Sequence, residues 1–238
     1  MILLSIIIPC FNESKSLPIL VKNFANKLKR NDIELIIIDN GSKDSTNKIL
    51  SNLKKKYVFL KSIKIKNNIG YGNGILQGLK KAKGEYLSWT HADLQTDPYD
   101  VILGFEKYKN KLSPNIFIKG LRKKRHFTDV IFTIGMSFFE TIILKKFLWD
   151  INAQPNIFHK TFFNKMTDIP LDFSFDLFFY INAKERDLNI YRFPVIFHER
   201  KFGFSHWNTN FKNKMKFIKR TIKYSFQLKK KIVVIFCI

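Results

Sequence analysis

Cysteine is scarce: there are two in 238 residues, Cys10 and Cys237, at opposite ends of the chain. Neither has metal-ligand or disulfide-framework spacing, so a disulfide-stapled fold is excluded and a reducing, cytoplasmic compartment is expected. Ten glycines and seven prolines are too few for collagen-like or low-complexity structure, and 45% apolar residues are too many for disorder. Long hydrophobic runs are also missing. Leu3–Pro9 is too short for a signal peptide and has no basic region before it, so it reads as a strand. Ile232–Ile238 falls far short of the roughly twenty residues a membrane span needs. Acid is in short supply as well, with 19 Asp and Glu against 42 Lys and Arg. None follows Glu199, whereas Lys201, Lys212, Lys214, Lys216, Lys219, Arg220, Lys223 and Lys229–Lys231 do. A basic tail of this kind suits an anionic surface. Its aromatics (Phe211, Phe217, Tyr224, Phe226) fall mostly at helical spacing rather than as a stacking platform, so nucleic acid is not the expected partner.

The first hundred residues alternate between strand and helix signals. Ser5–Ile8, Glu34–Ile38, Tyr57–Ile65 and Glu85–Trp89 read as strands. Ser14–Leu28, a segment capped by Asp44 or Ser45 and running to Leu53, and Asn73–Lys83 read as helices. Such alternation predicts parallel βαβ units with ligands bound beyond the carboxyl ends of the strands. Further on, Arg122–Phe147 is basic and then helical, and Asp150–Phe163 is a loop leading into a short strand. Phe173–Arg186 predicts a helix, Ile190–Phe197 a strand, and Phe211–Leu228 a basic amphipathic helix. In that last helix Phe211, Met215, Ile218, Ile222 and Phe226 form an apolar stripe among cations, a pattern suited to a membrane interface.

Four polar clusters follow the predicted strands: Pro9–Glu13, Asp39–Asp44, Asn68–Gly74 and His91–Pro98. The glycines at 70, 72 and 74 do not directly follow a strand as a dinucleotide fingerprint requires, so that reading is rejected. Taken in order, SIIIPCFNE, IIIDNGSKDST, NNIGYGNGILQGLKKAKGEYL and HADLQTDP resemble the large inverting glycosyltransferase family with the GT-A fold, often called family two. More loosely, GLRKKR, DINAQPNIFHK, FSFDLFF and VIFHERKFGFSHW resemble its polyprenyl-phosphate branch.

The resemblance implies an α/β fold with a Rossmann-like, mostly parallel sheet flanked by helices, followed by the C-terminal basic amphipathic helix. Residues 1–206 would form the GT-A domain (1–98 the nucleotide-sugar half, 99–206 the acceptor half) and 207–238 the tail. It implies transfer of a sugar from a nucleotide-sugar donor with inversion, as an acceptor oxygen attacks the anomeric carbon and the nucleoside diphosphate departs. Pro9, Asn12, Glu13, Asp39, Asn68, Gly70, His91 and Ala92 would bind the donor, with the Asp39 carboxylate on the base. Asp93, with Gln95 and His91, would hold Mg²⁺ or Mn²⁺ on the diphosphate, neutralising the leaving group. Two departures from the family pattern stand out. His91 occupies the place of a frequent carboxylate, which weakens a site for a hard cation such as Mg²⁺ and leaves the imidazole either to ligate Mn²⁺ or to hydrogen-bond to ribose or phosphate, and Asn40 replaces a frequent Asp near the ribose. Asp93 and Asp176 are the catalytic candidates, Asp176 as a possible general base. Arg122, Arg125, Arg200 and Ser205 would grip acceptor or donor phosphates. The expected acceptor is a polyprenyl phosphate, with a saccharide hydroxyl in glycan assembly as the alternative and a non-catalytic membrane-associated module as a third reading. The expected location is cytoplasmic, peripherally attached to an anionic membrane surface.

Overall fold

A computed structural model describes residues 1–203 and the helix at 211–236. Its centre is one seven-stranded sheet in the order β3-β2-β1-β4-β6-β5-β7. Strands β1 (Leu4–Cys10), β2 (Ile33–Asn40), β3 (Leu60–Ile65) and β4 (Tyr86–Trp89) run parallel, as the βαβ reading requires. Strand β6 (Asn156–His159) is antiparallel to both neighbours, β4 and β5 (Ile116–Lys123), and β7 (Asn189–Ile196) is parallel to β5. Both halves of the chain therefore contribute to a single sheet.

The central strands are isoleucine-rich because both of their faces are covered. Ile6, Ile8, Leu35 and Ile37 face one way, into a core shared with Leu20 and Phe24 of α1 (Ser16–Lys27) and Phe105 of α4 (Asp100–Lys107). Ile7, Ile36 and Ile38 face the other way, onto Ile75 and Leu79 of α3 (Tyr71–Lys81) and Phe179 of α7 (Phe175–Glu185). Each such side chain, fully buried, contributes about 1.5–3 kcal/mol. The second core is aromatic: Trp89 meets the edges of Phe158, Phe175 and Phe179 at centroid distances of 5.6, 5.3 and 5.1 Å.

Three boundaries differ from expectation. Helix α2 (Thr46–Lys56) ends at Tyr57, so β3 starts at Leu60 rather than Tyr57. Arg122 and Lys123 close β5 rather than open a helix, and α5 begins at Phe127 and runs to Leu144. Helix α4 and strand β5, on either side of the Ser113-Pro114-Asn115 turn, were not among the elements expected from the sequence. Helix α8 (Phe211–Phe236) is longer than expected. Of its expected apolar stripe Met215, Ile218 and Ile222 are half-buried and Phe226 is exposed, while Ser225 and Leu228 are buried and Tyr224 joins the second core.

Helices α5 and α8 meet over a buried carboxyl. Glu140 of α5 is fully buried, accepts a hydrogen bond from Ser225 Oγ at 2.7 Å and leaves Oε2 without a partner. Burial pushes its pKa up to about 7, with the Ser225 bond opposing. A carboxyl whose folded pKa is raised holds its proton better in the folded than in the unfolded chain. Its favourable contribution is complete below the unfolded value and is lost as pH rises towards 7. Glu140→Gln, neutral at every pH, should therefore be more stable than the wild type at pH 8, by about 1–3 kcal/mol. The difference should shrink towards zero near pH 5, as read by thermal melts at both values.

Candidate active site

The carboxyl ends of β1, β2 and β4 open onto one cavity of about 480 Å³, roofed by α5 and the start of α7. The sheet order reverses at β1, which has β2 on one side and β4 on the other, and a crevice forms where connections leave in opposite directions. Of the residues singled out in the sequence, Pro9, Glu13, Asn68, Gly70, His91, Ala92, Asp93, Gln95, Arg122, Arg125, Asp176 and Arg200 line this cavity. Asn12 and Asp39 do not, and Ser205 lies outside the described residues.

Asn12 stands just outside because it braces the wall. Its backbone N–H donates to Ser42 Oγ at 2.9 Å and its side-chain carbonyl accepts from the Lys43 N–H at 2.8 Å. Asp44 completes this link between the β1 and β2 loops, accepting from the N–H groups of Ser14 and Thr46. Asp39 is buried at the end of β2, paired in register with Cys10. One of its oxygens accepts from the Ser42 N–H at 2.9 Å, and the other, Oδ2, has no partner. Next to it, Asn40 donates to the Gly70 carbonyl at 2.8 Å while its own Oδ1 is buried and unmatched. One of these unmet acceptors, that of Asn40, belongs to the cavity lining, and the other is buried at the residue before it. A buried group left so costs roughly 1–3 kcal/mol, which a ligand with N–H and O–H donors would recover.

Along the floor, Arg200 joins the beginning and end of the chain. Its guanidinium pairs with Glu13 and lies 3.9 Å from Asp93 Oδ2. Burial pushes the Glu13 carboxyl upward, with Ser16 and Arg200 pulling it back. Asp93 accepts from the Gln95 N–H at 3.1 Å, and the Gln95 amide donates to the His198 carbonyl at 3.2 Å. His91 stacks on Tyr71, centroids 6.0 Å apart, and Tyr71 stacks on Phe173 at 5.0 Å. Among the described residues no group of three or more His, Cys, Asp or Glu is gathered to hold an ion. One carboxylate beside one imidazole does fit a cation that arrives with phosphate oxygens and keeps its own waters, as Mg²⁺ and Mn²⁺ do.

The far wall is cationic. Asp150 receives the Arg122 backbone N–H at 2.9 Å and its Nε at 2.8 Å, and lies 3.8 Å from Arg125. Burial opposes the Asp150 charge, yet the two guanidiniums hold its carboxyl below the ordinary range. Arg125 donates to Thr133 Oγ1 at 2.6 Å, and its Nε is buried without a partner. Burial and the neighbouring Arg122 lower its pKa to about 10. Two guanidiniums thus share one buried carboxylate, with Asp129 acting on Arg125 as well, and paired guanidiniums facing a cavity are suited to holding an anion.

Between these walls stands Asp176, in the first turn of α7 and buried. Its Oδ1 accepts from Trp89 Nε1 at 3.0 Å and from Asn156 Nδ2 at 3.2 Å. Lys119 fixes the amide from behind, donating to Asn156 Oδ1 at 2.8 Å and to the Ala153 carbonyl at 2.7 Å. Burial lowers the Lys119 pKa to about 7 against the pull of Asp176. Trp89, Asn156, Lys119, Asp150 and Tyr71 were not identified from sequence. Each is an ordinary strand or loop residue there, and only the fold gives it a partner.

An α/β protein with a polar cleft at the switch point of its parallel strands belongs, by fold, with nucleotide-binding transferases of the GT-A kind. The family model "Glycosyl transferase family 2" matches residues 5–166, and the chain belongs to that family. It is 30% identical over 155 residues to a dolichyl-phosphate beta-glucosyltransferase of Dictyostelium discoideum, covering 61% of this chain and 47% of the relative. It is 32% identical over 102 residues to an undecaprenyl-phosphate 4-deoxy-4-formamido-L-arabinose transferase of Proteus mirabilis (strain HI4320), covering 41% and 31%. The chain thus spans less than half the length of either curated relative. Among solved structures, glucosyl-3-phosphoglycerate synthase from Mycobacterium tuberculosis, in complex with Mn²⁺, UDP and glucosyl-3-phosphoglycerate, superposes with a TM-score of 0.72 at 12% identity, covering 95% of this chain and 79% of that one. That likeness establishes the fold.

Because Asn156 satisfies both Lys119 and Asp176, Asn156→Leu should strip a partner from two buried groups at once. A loss of about 2–4 kcal/mol in unfolding free energy is expected at neutral pH. Urea denaturation with an unchanged m-value checks it.

Proposed function

We propose that the protein transfers a sugar from a nucleotide-sugar donor, with inversion, to a polyprenyl-phosphate acceptor. The observation that carries this reading is the polarity of the cavity beyond β1, β2 and β4. The unmet acceptor of Asn40 belongs to its lining, with that of Asp39 buried at the preceding residue, and the Arg122 and Arg125 guanidiniums of the same lining share the buried Asp150 carboxylate. A nucleoside offers N–H and O–H donors to the first, and a lipid phosphate offers its charge to the second. The named activities of the polyprenyl-phosphate relatives agree with this division.

In this reading Asp39 takes the base and Asn40 the ribose, while Pro9, Glu13, Asn68, Gly70 and Ala92 shape the walls. A Mg²⁺ or Mn²⁺ ion bound with the diphosphate would be held by Asp93, with His91 and Gln95 beside it, and would offset charge on the leaving group. Arg200, drawn towards Glu13 and Asp93, adds a fixed cation on the same side. Arg122 and Arg125 seat the acceptor phosphate, and its oxygen attacks the anomeric carbon from the face opposite the departing nucleoside diphosphate. That oxygen is already anionic and needs little help from a base, so Asp176 serves mainly to orient and to stabilise positive charge at the sugar.

A second reading, transfer to a saccharide hydroxyl, is favoured by one feature. Asp176 is locked by Trp89 and Asn156 in the way a general base for a neutral hydroxyl requires.

The test is turnover with a panel of nucleotide sugars and a short polyprenyl phosphate in the presence of Mn²⁺. Asp93→Ala should lower kcat by about 10²–10³-fold with little effect on folding. Asp39→Ala should raise the donor KM by roughly 10-fold or more, the worth of a hydrogen bond to a charged group, and leave the acceptor KM alone. His91→Asp, which adds a carboxylate, should strengthen Mg²⁺ use. Transfer to a saccharide but not to the lipid phosphate would move the assignment to the second reading, and absence of any nucleotide-sugar turnover would reject catalysis.

A further inference from the structure

Helix α5 has two faces of opposite character. Its inner face, with Phe132, Thr133, Met136, Ser137 and Glu140, lines the cavity. Its outer face carries Phe127, Ile131, Ile134, Phe138 and Ile142, three or four residues apart and all exposed, Phe127 at 74% and Phe138 at 68%. Phe147 and Trp149, in the segment that follows the helix, are exposed as well. Five large apolar side chains in one open stripe exceed the scattered exposure normal for a protein surface.

By length and composition α5 could span a membrane, and it is the one described helix that could. The fold rules a crossing out. The chain turns at Lys145, where φ is 54°, and runs back along the inner face. There Leu148 N–H donates to Thr141 Oγ1 at 3.0 Å and Asp150 N–H to Ser137 Oγ at 3.2 Å. Asp150 then pairs with Arg122, just before the start of the helix, and the strands on either side, β5 and β6, are neighbours in one sheet. Both ends of the helix are therefore anchored to the same body, and the helix can only lie along a surface.

The rim identifies that surface. Exposed Lys123 and Lys124 precede the helix, Lys145 and Lys146 follow it, and Asp129 is the one acidic side chain of α5 that is not buried. A second copy of the chain would bring two such rows of lysine together, each on a molecule of net charge +23. An anionic bilayer accepts both features, taking the apolar stripe below its headgroups and the lysines among them. An exposed tryptophan, Trp149, follows the helix, and tryptophan is a side chain favoured at that depth.

We propose that α5 is the membrane-contact element of this protein, lying in the plane of an anionic leaflet with its outer face inserted and its inner face closing the cavity. This rests on the polyprenyl-phosphate reading, and it places the Arg122–Arg125 pair at the mouth through which a membrane-held phosphate would enter. It also moves the membrane contact from α8, whose Tyr224, Ser225 and Leu228 pack inward, to α5.

The experiment is flotation of the full chain with vesicles of phosphatidylcholine, with and without phosphatidylglycerol. The wild type should float with the anionic vesicles only. The triple variant Ile131→Ser, Phe138→Ser, Ile142→Ser should bind at least tenfold more weakly while keeping its melting temperature, because all three side chains are exposed. Brominated lipid should quench Trp149, a signal that Trp149→Phe removes, and the triple variant should escape this quenching. An equivalent α8 variant, Lys219→Gln with Lys223→Gln, should lose less. Undiminished flotation of the triple variant, equal binding to neutral vesicles, or a concentration-dependent dimer that does not bind vesicles would each overturn the proposal. If the triple variant is less stable than the wild type, Ile131→Leu with Phe138→Trp, which should retain binding, against Ile142→Asn alone decides the matter. Flotation needs no turnover: binding without transfer to polyprenyl phosphate would leave this proposal standing and defeat the acceptor assignment, and transfer without binding would do the reverse.

Discussion

The backbone of the Gly70–Gly72 turn and that of the Leu171–Asp172 loop touch with no side chain between them. A Cβ on Gly70 would sit 2.2 Å from the Leu171 carbonyl oxygen, and φ there is +143°, where only glycine is at ease. A Cβ on Gly72 would sit 2.7 Å from the carbonyl oxygens of both Asp172 and Pro170. The Asn73 N–H closes the contact on the Leu171 carbonyl at 2.9 Å. This approach carries the start of α7, and so Asp176, to the carboxyl ends of β1 and β4. Without it the donor-side residues and the aromatic wall of Tyr71 and Phe173 would face solvent separately. The glycine run that fails as a dinucleotide fingerprint is the seam on which the cavity is assembled.

Charge is distributed across that seam with little redundancy. Arg200 is shared between Glu13 and Asp93, and Asp150 between Arg122 and Arg125. In the second set Arg125 Nε lacks a partner, and burial keeps water from supplying one. Such under-matched charge in a partly closed space is costly for folding and strengthens attraction to a ligand of opposite sign. The Lys119–Asn156–Asp176–Trp89 chain is different, since every link is made. It fixes one carboxylate oxygen so that the orientation of the other is set before any ligand arrives.

Helix α5 connects these sites to the outside. Its first residues follow directly from the cationic wall, its inner side chains line the cavity, and Glu140 hands it on to α8 through Ser225. A surface that presses on the outer face of α5 therefore acts on a cavity wall. Under the proposed membrane contact, the anionic boundary and the site would coincide at this helix.

Much of the first half was legible in the sequence because its signals are local. Isoleucine runs buried on both faces mark parallel strands, and the polar clusters Pro9–Glu13, Asp39–Asp44 and His91–Pro98 mark their carboxyl ends, where a ligand site must lie. Those features follow from chain stereochemistry and the hydrophobic effect acting over a few residues. The second half was less legible because its decisive contacts are long-range. Nothing near Asp150 announces Arg122, which lies 28 residues earlier, and nothing near Trp89 announces Asp176, 87 residues later. The apolar residues of 127–144 have the same pattern whether they face a core or a membrane, and only the packing of β5, β6 and the Lys145 turn leaves one side uncovered. Sequence by itself determined the four parallel strands of the first hundred residues, their connection through helices and the chemistry available at their ends. Tertiary structure decided which charges meet and which side of a helix stays bare, because both depend on distances that no stretch of neighbouring residues encodes.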